Sequence, residues 1–280
     1  MDRTRDCGRN CQARDCHPDL PTACQSAAKK GNLKPHQIRY WLTPPHDEQF
    51  EAKVADICSL YQQAPALAAQ GERVLSTDEL TGVQALERKH PGLPLAPGKV
   101  ERREFEYIRH GTCSFIFSRD VVTGQVVAPT ARPTRSEADF VQHIRQVVES
   151  DPATQRWHLV MDNLNTHCSE SLVRYVADES DLDLDLGVKG KSGILANVQS
   201  RAAFLKDASH RIIIHYTPKH SSWLNQIEIW LSILVRKLLK RGNFNSVADL
   251  QAKVMYFIEY YNRTMAKPFK WTYQGKVLVS

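Results

Sequence analysis

Three acidic residues in this chain occupy positions from which a carboxylate could face a cleft. Asp78 and Asp162 each follow an apolar, β-prone run, so each is expected near the carboxyl end of a strand. Glu228 lies on the flank of a helical stripe whose apolar residues recur every three or four positions. Carboxylate oxygens suit Mg²⁺ or Mn²⁺, which bind phosphate oxygens directly. The three residues therefore predict a metal site for phosphoryl transfer.

The residues that follow Asp162 strengthen this interpretation. With 31 Asp and Glu residues, the chain places some carboxylates at strand ends by chance. In the sequence DNLNTH, however, Asp162 is followed by Asn163 and then by His167. A turn explains an Asp-Asn pair but not the nearby imidazole. We expect Asn163 and His167 to orient Asp162 or a scissile phosphate.

Longer motifs around these residues carry a family resemblance, which runs from about residue 33 to 273. The motifs are STDELTGVQALERKHP (76–91), EFEYIRHGT (104–112), MDNLNTH (161–167), YTPKHSSWLNQIEIWLSILVRKLLKRG (216–242) and FIEYYNRTMAKPFKWTY (257–273). The chain resembles DDE transposases of the mariner type, specifically the bacterial insertion-sequence-630 family. The resemblance implies a ribonuclease H-like fold and a catalytic triad of Asp78, Asp162 and Glu228.

The same resemblance implies a mechanism and partners. Two Mg²⁺ or Mn²⁺ ions held by the triad would serve phosphodiester hydrolysis and then strand transfer, in cut-and-paste DNA transposition. The substrates would be double-stranded DNA, both element ends and target, and a homodimer would pair the ends. Two other functions stay open: a truncated, non-catalytic DNA-binding remnant, and a stand-alone metal-dependent DNA nuclease.

Charge and composition agree with a DNA partner. The 280 residues are 42% hydrophobic and carry a net charge of +6, which favours a polyanion. The basic residues expected to contact the DNA backbone are Lys219, His220, Arg236, Lys237, Lys240 and Arg241. The sequence shows neither a membrane-spanning run nor a signal peptide, which predicts a cytoplasmic, nucleoid-associated protein without membrane contact.

Hydrophobic periodicity predicts an α/β fold, a mixed sheet with helices on both faces. Predicted strands cover 73–78, the two sides of a turn at 123–124, 157–161 and 211–216. Predicted helices cover 47–69 with a break near Pro65, a segment opened by a capping box at Ser136, a segment after His167, about 222–241, and a segment opened at Ser246.

The chain divides into four predicted regions. Residues 1–32 form an irregular, Cys-containing head that we expect to be disordered. Residues 33–70 resemble the end of a DNA-binding region and a linker helix, so we expect an N-terminally truncated copy. The catalytic domain covers 71–273 with an insertion at about 179–208, and residues 274–280 form a tail.

Overall fold

The computed structural model describes residues 49–273 of the chain. The predicted head, the first part of the predicted DNA-binding remnant (33–48) and the tail (274–280) lie outside the described residues. No helix within the described part is long and apolar enough to cross a membrane.

In the described part of the chain, five strands form one mixed sheet. They are β1 (Glu72–Arg88), β2 (Tyr107–Asp120), β3 (Val126–Arg132), β4 (Arg156–Met161) and β5 (Ile212–Tyr216). Their spatial order is β3-β2-β1-β4-β5. Strands β1, β4 and β5 run parallel, while β2 pairs antiparallel with β1 and β3. This arrangement confirms the predicted mixed sheet.

Within residues 49–273, six α-helices cover both faces of the sheet. They are α1 (Phe50–Ala69), α2 (Glu137–Glu149), α3 (Glu170–Glu179), α4 (Val198–Leu205), α5 (Ile227–Leu234) and α6 (Val247–Thr264). On one face, α2, α3 and α4 bury the odd-numbered side chains of β4, such as Leu159. On the other, α1 packs against Val160, and α5 and α6 pack on Phe115 and Phe117 of β2. Alternation along the strands sends neighbouring side chains to opposite faces, which produces the two cores.

Several local predictions are confirmed. Ser136 and Asp139 form the predicted capping box of α2, each side chain bonding the other's backbone N–H. Ser246 caps α6 by accepting a hydrogen bond from the Asp249 N–H. The β2–β3 hairpin turns at Gly124, whose φ of +75° is left-handed and whose added Cβ would overlap the Lys267 backbone.

Two helix predictions are wrong in detail. Helix α1 continues through Pro65 without a break, because its buried stripe, from Val54 to Ala64, packs on the sheet and offsets the lost backbone hydrogen bond. The predicted helix at 222–241 is three segments: a 3₁₀ turn (Ser222–Leu224), α5, and a π-helical turn (Val235–Leu239). Glu228 therefore lies in the first turn of a helix rather than within a long one.

The segment identified as an insertion (179–208) joins α3 to β5. It contains a 3₁₀ turn (Ile194–Ala196) and α4, and it buries Leu195 and Leu205 in the main core. Arg201 in this segment is buried and donates hydrogen bonds to the carbonyls of Cys168 and Leu195. Its guanidinium therefore holds the segment to the domain.

A chain of polar side chains ties α1 to the start of the sheet. Asp56 of α1 contacts His215 at 2.8 Å, and His215 contacts His158 at 3.1 Å. His158 in turn contacts Glu72 at 2.8 Å. Each link joins a different element, so these four residues fix α1 across β5, β4 and β1.

Candidate active site

The sheet topology brings Asp78 and Asp162 to the same end of the neighbouring strands β1 and β4. The parallel pairing of β1 with β4 ends where Ser76 lies opposite Val160, and each aspartate lies two residues beyond that pair. Asp162 follows the last residue of β4, as predicted. Asp78 does not end its strand, because β1 continues to Arg88 in antiparallel pairing with β2, where Asp78 faces Phe117. The prediction of a strand ending at residue 78 is wrong, since β2 supplies a partner beyond that point.

Glu228 reaches the same region through contacts between α5 and β1. The Ser76 hydroxyl accepts a hydrogen bond from the Ile227 N–H at 2.8 Å and contacts the Asn225 side-chain carbonyl. The Asn225 side-chain amide donates to the Thr77 carbonyl at 3.0 Å. These bonds hold the first turn of α5, with half-buried Glu228, beside the strand that carries Asp78.

His167 joins two carboxylates of the site. It is fully buried, its Nδ1 lies 2.7 Å from Asp162 Oδ1, and its Nε2 lies 3.7 Å from Glu79 Oε1. Burial alone would lower the pKa of His167, but the hydrogen bond with Asp162 and the nearby carboxylate of Glu79 outweigh it and raise the pKa to about 9. Burial would raise the pKa of Asp162, but the hydrogen bond and charge of His167 lower it overall.

Glu79 is a site residue that the sequence reasoning missed. Its side chain is 3% exposed, and its two oxygens make no hydrogen bond in the described residues. The cations closest to it are His167 and Arg135, whose guanidinium lies 3.5 Å away. The adjacent pair Asp78-Glu79 in a strand was the available signal, because alternation sends the two carboxylates to opposite faces of the sheet.

Asp78 is the most perturbed carboxylate of the site. Desolvation raises its pKa to about 6, opposed by a hydrogen bond from the Glu79 N–H at 2.7 Å and aided by the negative charges of Asp162 and Glu228. Asp78 therefore lies within electrostatic reach of both Asp162 and Glu228. A site of this kind favours an added positive charge.

The donor chemistry of these residues fits a hard divalent cation, which prefers carboxylate oxygens. As the side chains stand, no three His, Cys, Asp or Glu residues within 49–273 are arranged to share one metal ion. Asp162 accounts for part of this, because Oδ1 is bonded to His167 and also accepts from the Leu164 N–H at 3.1 Å. Its side chain is 44% exposed, so the other oxygen is open to a ligand.

The other predicted residues lie around this edge. Asn163 is exposed, and its amide donates to the Thr217 carbonyl at 2.5 Å, which joins the loops after β4 and β5 rather than reaching Asp162. Lys219 and His220 are exposed just after β5, and His220 has a left-handed φ of +60°. Both side chains are therefore available to a ligand at the ends of the parallel strands.

The four basic residues after Glu228 are exposed. Arg236 and Lys237 lie in the π-helical turn, and Lys240 and Arg241 follow it. Arg236 also donates to the carbonyl and hydroxyl of Ser232. A separate cavity of about 350 Å³ lies at the opposite end of β1, lined by Arg73, Asp120 and Asp151 among others. It is not part of this site.

Comparison with known proteins identifies the fold class first. The chain resembles a crystal structure of the Mos1 mariner paired end complex with Mn, with 13% identity and a TM-score of 0.50, covering 86% of this chain and 65% of that one. The Mos1 strand transfer complex gives 14% identity and a TM-score of 0.50, with 86% and 64% covered. The sheet and its helices therefore have the ribonuclease H-like fold of those transposases, as predicted. This chain spans just under two thirds of their length.

The family follows from the sequence itself. Residues 73–251, well over half of the chain, match the family described as DDE superfamily endonuclease. The chain belongs to that family. No curated protein matches the chain.

Proposed function

We propose that this protein is a DNA transposase of the insertion-sequence type, which hydrolyses phosphodiester bonds and transfers the freed strands to target DNA. The observation that carries the proposal is that three elements from distant parts of the chain, each carrying one of the three acidic residues, meet at one end of the sheet. Asp78 and Asp162 lie two residues beyond the last β1–β4 pair, and the bonds of Ser76 and Asn225 bring the first turn of α5 beside them. Such a set of carboxylates at a sheet edge suits DNA cleavage.

In this proposal Asp78, Asp162 and Glu228 hold two Mg²⁺ or Mn²⁺ ions. When bound, the ions would activate the attacking water or 3′-hydroxyl and stabilise charge on the leaving oxygen. The fit rests on oxygen donors and on the raised pKa of Asp78, which marks a carboxylate lacking positive charge. The Mos1 mariner paired end complex with Mn lends support from the same fold.

The protein's own residues would prepare the site. His167, held between Asp162 and Glu79, fixes the direction of the Asp162 carboxylate. Asn163 keeps the loop after β4 against Thr217, so that Asp162 cannot swing away with its loop. In this mechanism neither residue forms a covalent bond with DNA, because the attacking oxygen belongs to water or to a DNA end.

Double-stranded DNA is the partner that suits the surface. Lys219, His220 and the basic group of Arg236, Lys237, Lys240 and Arg241 would contact phosphates and give binding without sequence preference. The similar Mos1 structures are a paired end complex and a strand transfer complex, which supports element ends and target as the two DNA substrates. Pairing of two ends by a homodimer completes the proposal.

A cleavage and joining assay tests this function. The protein is incubated with supercoiled plasmid and a labelled duplex bearing a free 3′-hydroxyl, with Mg²⁺, with Mn²⁺ or with chelator. We expect cation-dependent nicking and joined products, both lost in Asp162→Asn. Asp178→Asn is the matched control, since Asp178 lies exposed on α3 and should leave both reactions unchanged.

The products separate the possible functions. Cleavage without joined products would identify a nuclease and contradict strand transfer. DNA binding with no cleavage by wild type in either cation would contradict catalysis and identify a binding remnant. Equal activity in wild type and Asp162→Asn would show that the proposed site does not catalyse these reactions.

A further inference from the structure

A buried pair of polar residues, Ser76 and Asn225, lies between the strand that carries Asp78 and the helix that carries Glu228. Ser76 is fully buried and Asn225 is 1% exposed. Asp78 is two residues from Ser76, and Glu228 is three residues from Asn225. The contact between them spans 149 residues of sequence.

Every polar side-chain atom of this pair forms a hydrogen bond. The Ser76 hydroxyl donates to the Asn225 side-chain carbonyl and accepts from the Ile227 N–H, one of the free donors at the start of α5. The Asn225 amide donates to the Thr77 carbonyl, which lies just past the last β1–β4 pair. The Asn225 backbone carbonyl accepts from the Glu228 N–H at 3.1 Å.

The pair therefore joins β1 to the start of α5. Beyond Ser76, β1 loses its β4 partner, and the Asn225 side chain takes over that edge. On the helix side, the Ser76 hydroxyl bonds the Ile227 N–H, so the start of the helix is fixed relative to the strand. A shift of either element would leave a buried donor or acceptor unpaired, which is unfavourable.

We propose that Asn225 and Ser76 are positioning residues that set the separation of Asp78 and Glu228, and so the affinity of the site for its divalent cation. The proposal rests on the proposed function, in which those carboxylates hold Mg²⁺ or Mn²⁺. Groups that orient metal ligands typically change metal affinity 10- to 100-fold when removed.

Asn262 provides a matched control. It joins α6 to β3 through two side-chain hydrogen bonds with the Val126 backbone, both of 2.8 Å, and is partly buried. Asn262→Ala should therefore disturb a helix–strand contact of the same chemistry without moving the carboxylates. A loss of cation affinity common to both variants would reflect general loosening of the domain.

The experiment measures Mn²⁺ affinity of the DNA-free protein by calorimetry or electron paramagnetic resonance. We expect Asn225→Ala and Ser76→Ala to weaken binding about 10-fold or more. In a Glu228→Gln background the same changes should weaken it less than about 2-fold, because their effect passes through Glu228. Asn225→Asp, which keeps the acceptor for Ser76 but not the amide donor, should give an intermediate loss and covers the case in which Asn225→Ala does not fold.

Amide hydrogen exchange supplies a readout that needs no cation. Ile227, whose N–H is bonded to the Ser76 hydroxyl, should exchange faster in Ser76→Ala and in Asn225→Ala, with little change in α6. Unchanged exchange there, wild-type Mn²⁺ affinity in the folded variants, equal losses in both backgrounds, or an equal loss in Asn262→Ala would each overturn the positioning role. Failure of the proposed function gives a different result. Either wild type binds no Mn²⁺, or Asp162→Asn binds Mn²⁺ as wild type does.

Discussion

Desolvation and repulsion of single carboxylate side chains explain why this site lowers the stability of the folded protein. Asp78 is partly desolvated near two other carboxylates, and its pKa of about 6 measures the cost of ionising it there. His167 compensates Asp162, but it lies on the Glu79 side of the strand. The residue with the least compensation is therefore the one that a cation would stabilise most.

Asp78→Asn should stabilise the cation-free protein. In chelator at pH 8, the loss of a repelled buried charge should raise the free energy of unfolding by about 1–3 kcal/mol. Mn²⁺ should raise the melting temperature of wild type but not of this variant. A lower melting temperature in chelator would contradict this view of Asp78, and Asp178→Asn serves as the neutral control.

His143 makes a second prediction at this scale. It is fully buried between the hydroxyls of Ser118 and Thr130, and burial lowers its pKa to about 3. The unfolded chain, with a pKa near 6.5, binds more protons between these values. Stability should therefore fall as pH drops below about 6.5, by about 2 kcal/mol at pH 5.

Urea unfolding at pH 5 and 7.5 measures this effect. His143→Gln should reduce the pH dependence, whereas His90→Gln, which changes an exposed residue, should keep it. The same pH dependence in wild type and His143→Gln would show that other groups cause the acid destabilisation.

At the scale of elements, both α1 and β1 hold the short segment that precedes α5. Tyr61 of α1 donates its hydroxyl to the Leu224 carbonyl at 2.9 Å and accepts from the Gln226 N–H at 3.3 Å. Its ring packs edge-on against Trp271. Helix α1, which precedes the sheet in sequence, thereby supports the segment that leads into Glu228.

Tyr61→Phe should isolate this hydroxyl. The ring contacts remain, but two buried backbone groups lose their partner, which should cost about 1–3 kcal/mol. The midpoint of urea unfolding should fall with an unchanged m value, while Tyr256→Phe, at a tyrosine 69% exposed on α6, should have no effect. A midpoint equal to wild type would mean that water replaces the hydroxyl.

Local sequence signals predicted the elements better than their meeting points. The Ser136 capping box, the Ser246 cap and the Gly124 turn each depend on residues a few positions apart, and all are confirmed. The true length of β1 depends on β2, and the start of α5 depends on Ser76, so neither could be read locally. Glu79 and Asn225 were missed because their roles come from partners 88 and 149 residues away.

At the scale of the whole molecule, exposed positive charge lies on the segment that follows the Glu228 helix. The exposed residues Lys240 and Arg241 follow the helix that carries Glu228. Changing both to Ala should lower the slope of log affinity for duplex DNA against log salt by about 2, since each phosphate contact contributes about 0.9. Arg174→Ala removes an exposed, ion-paired arginine of α3 and should leave the slope unchanged. An unchanged slope in the double variant would exclude these two residues from the DNA contact.

The central claim is that Asp78, Asp162 and Glu228 together hold the divalent cations. Crystals of the protein grown with Mn²⁺ and measured for anomalous scattering test it most directly. We expect anomalous peaks bounded by these three carboxylates, and their loss in Asp162→Asn. Peaks at other residues, or none at saturating Mn²⁺, would contradict the account.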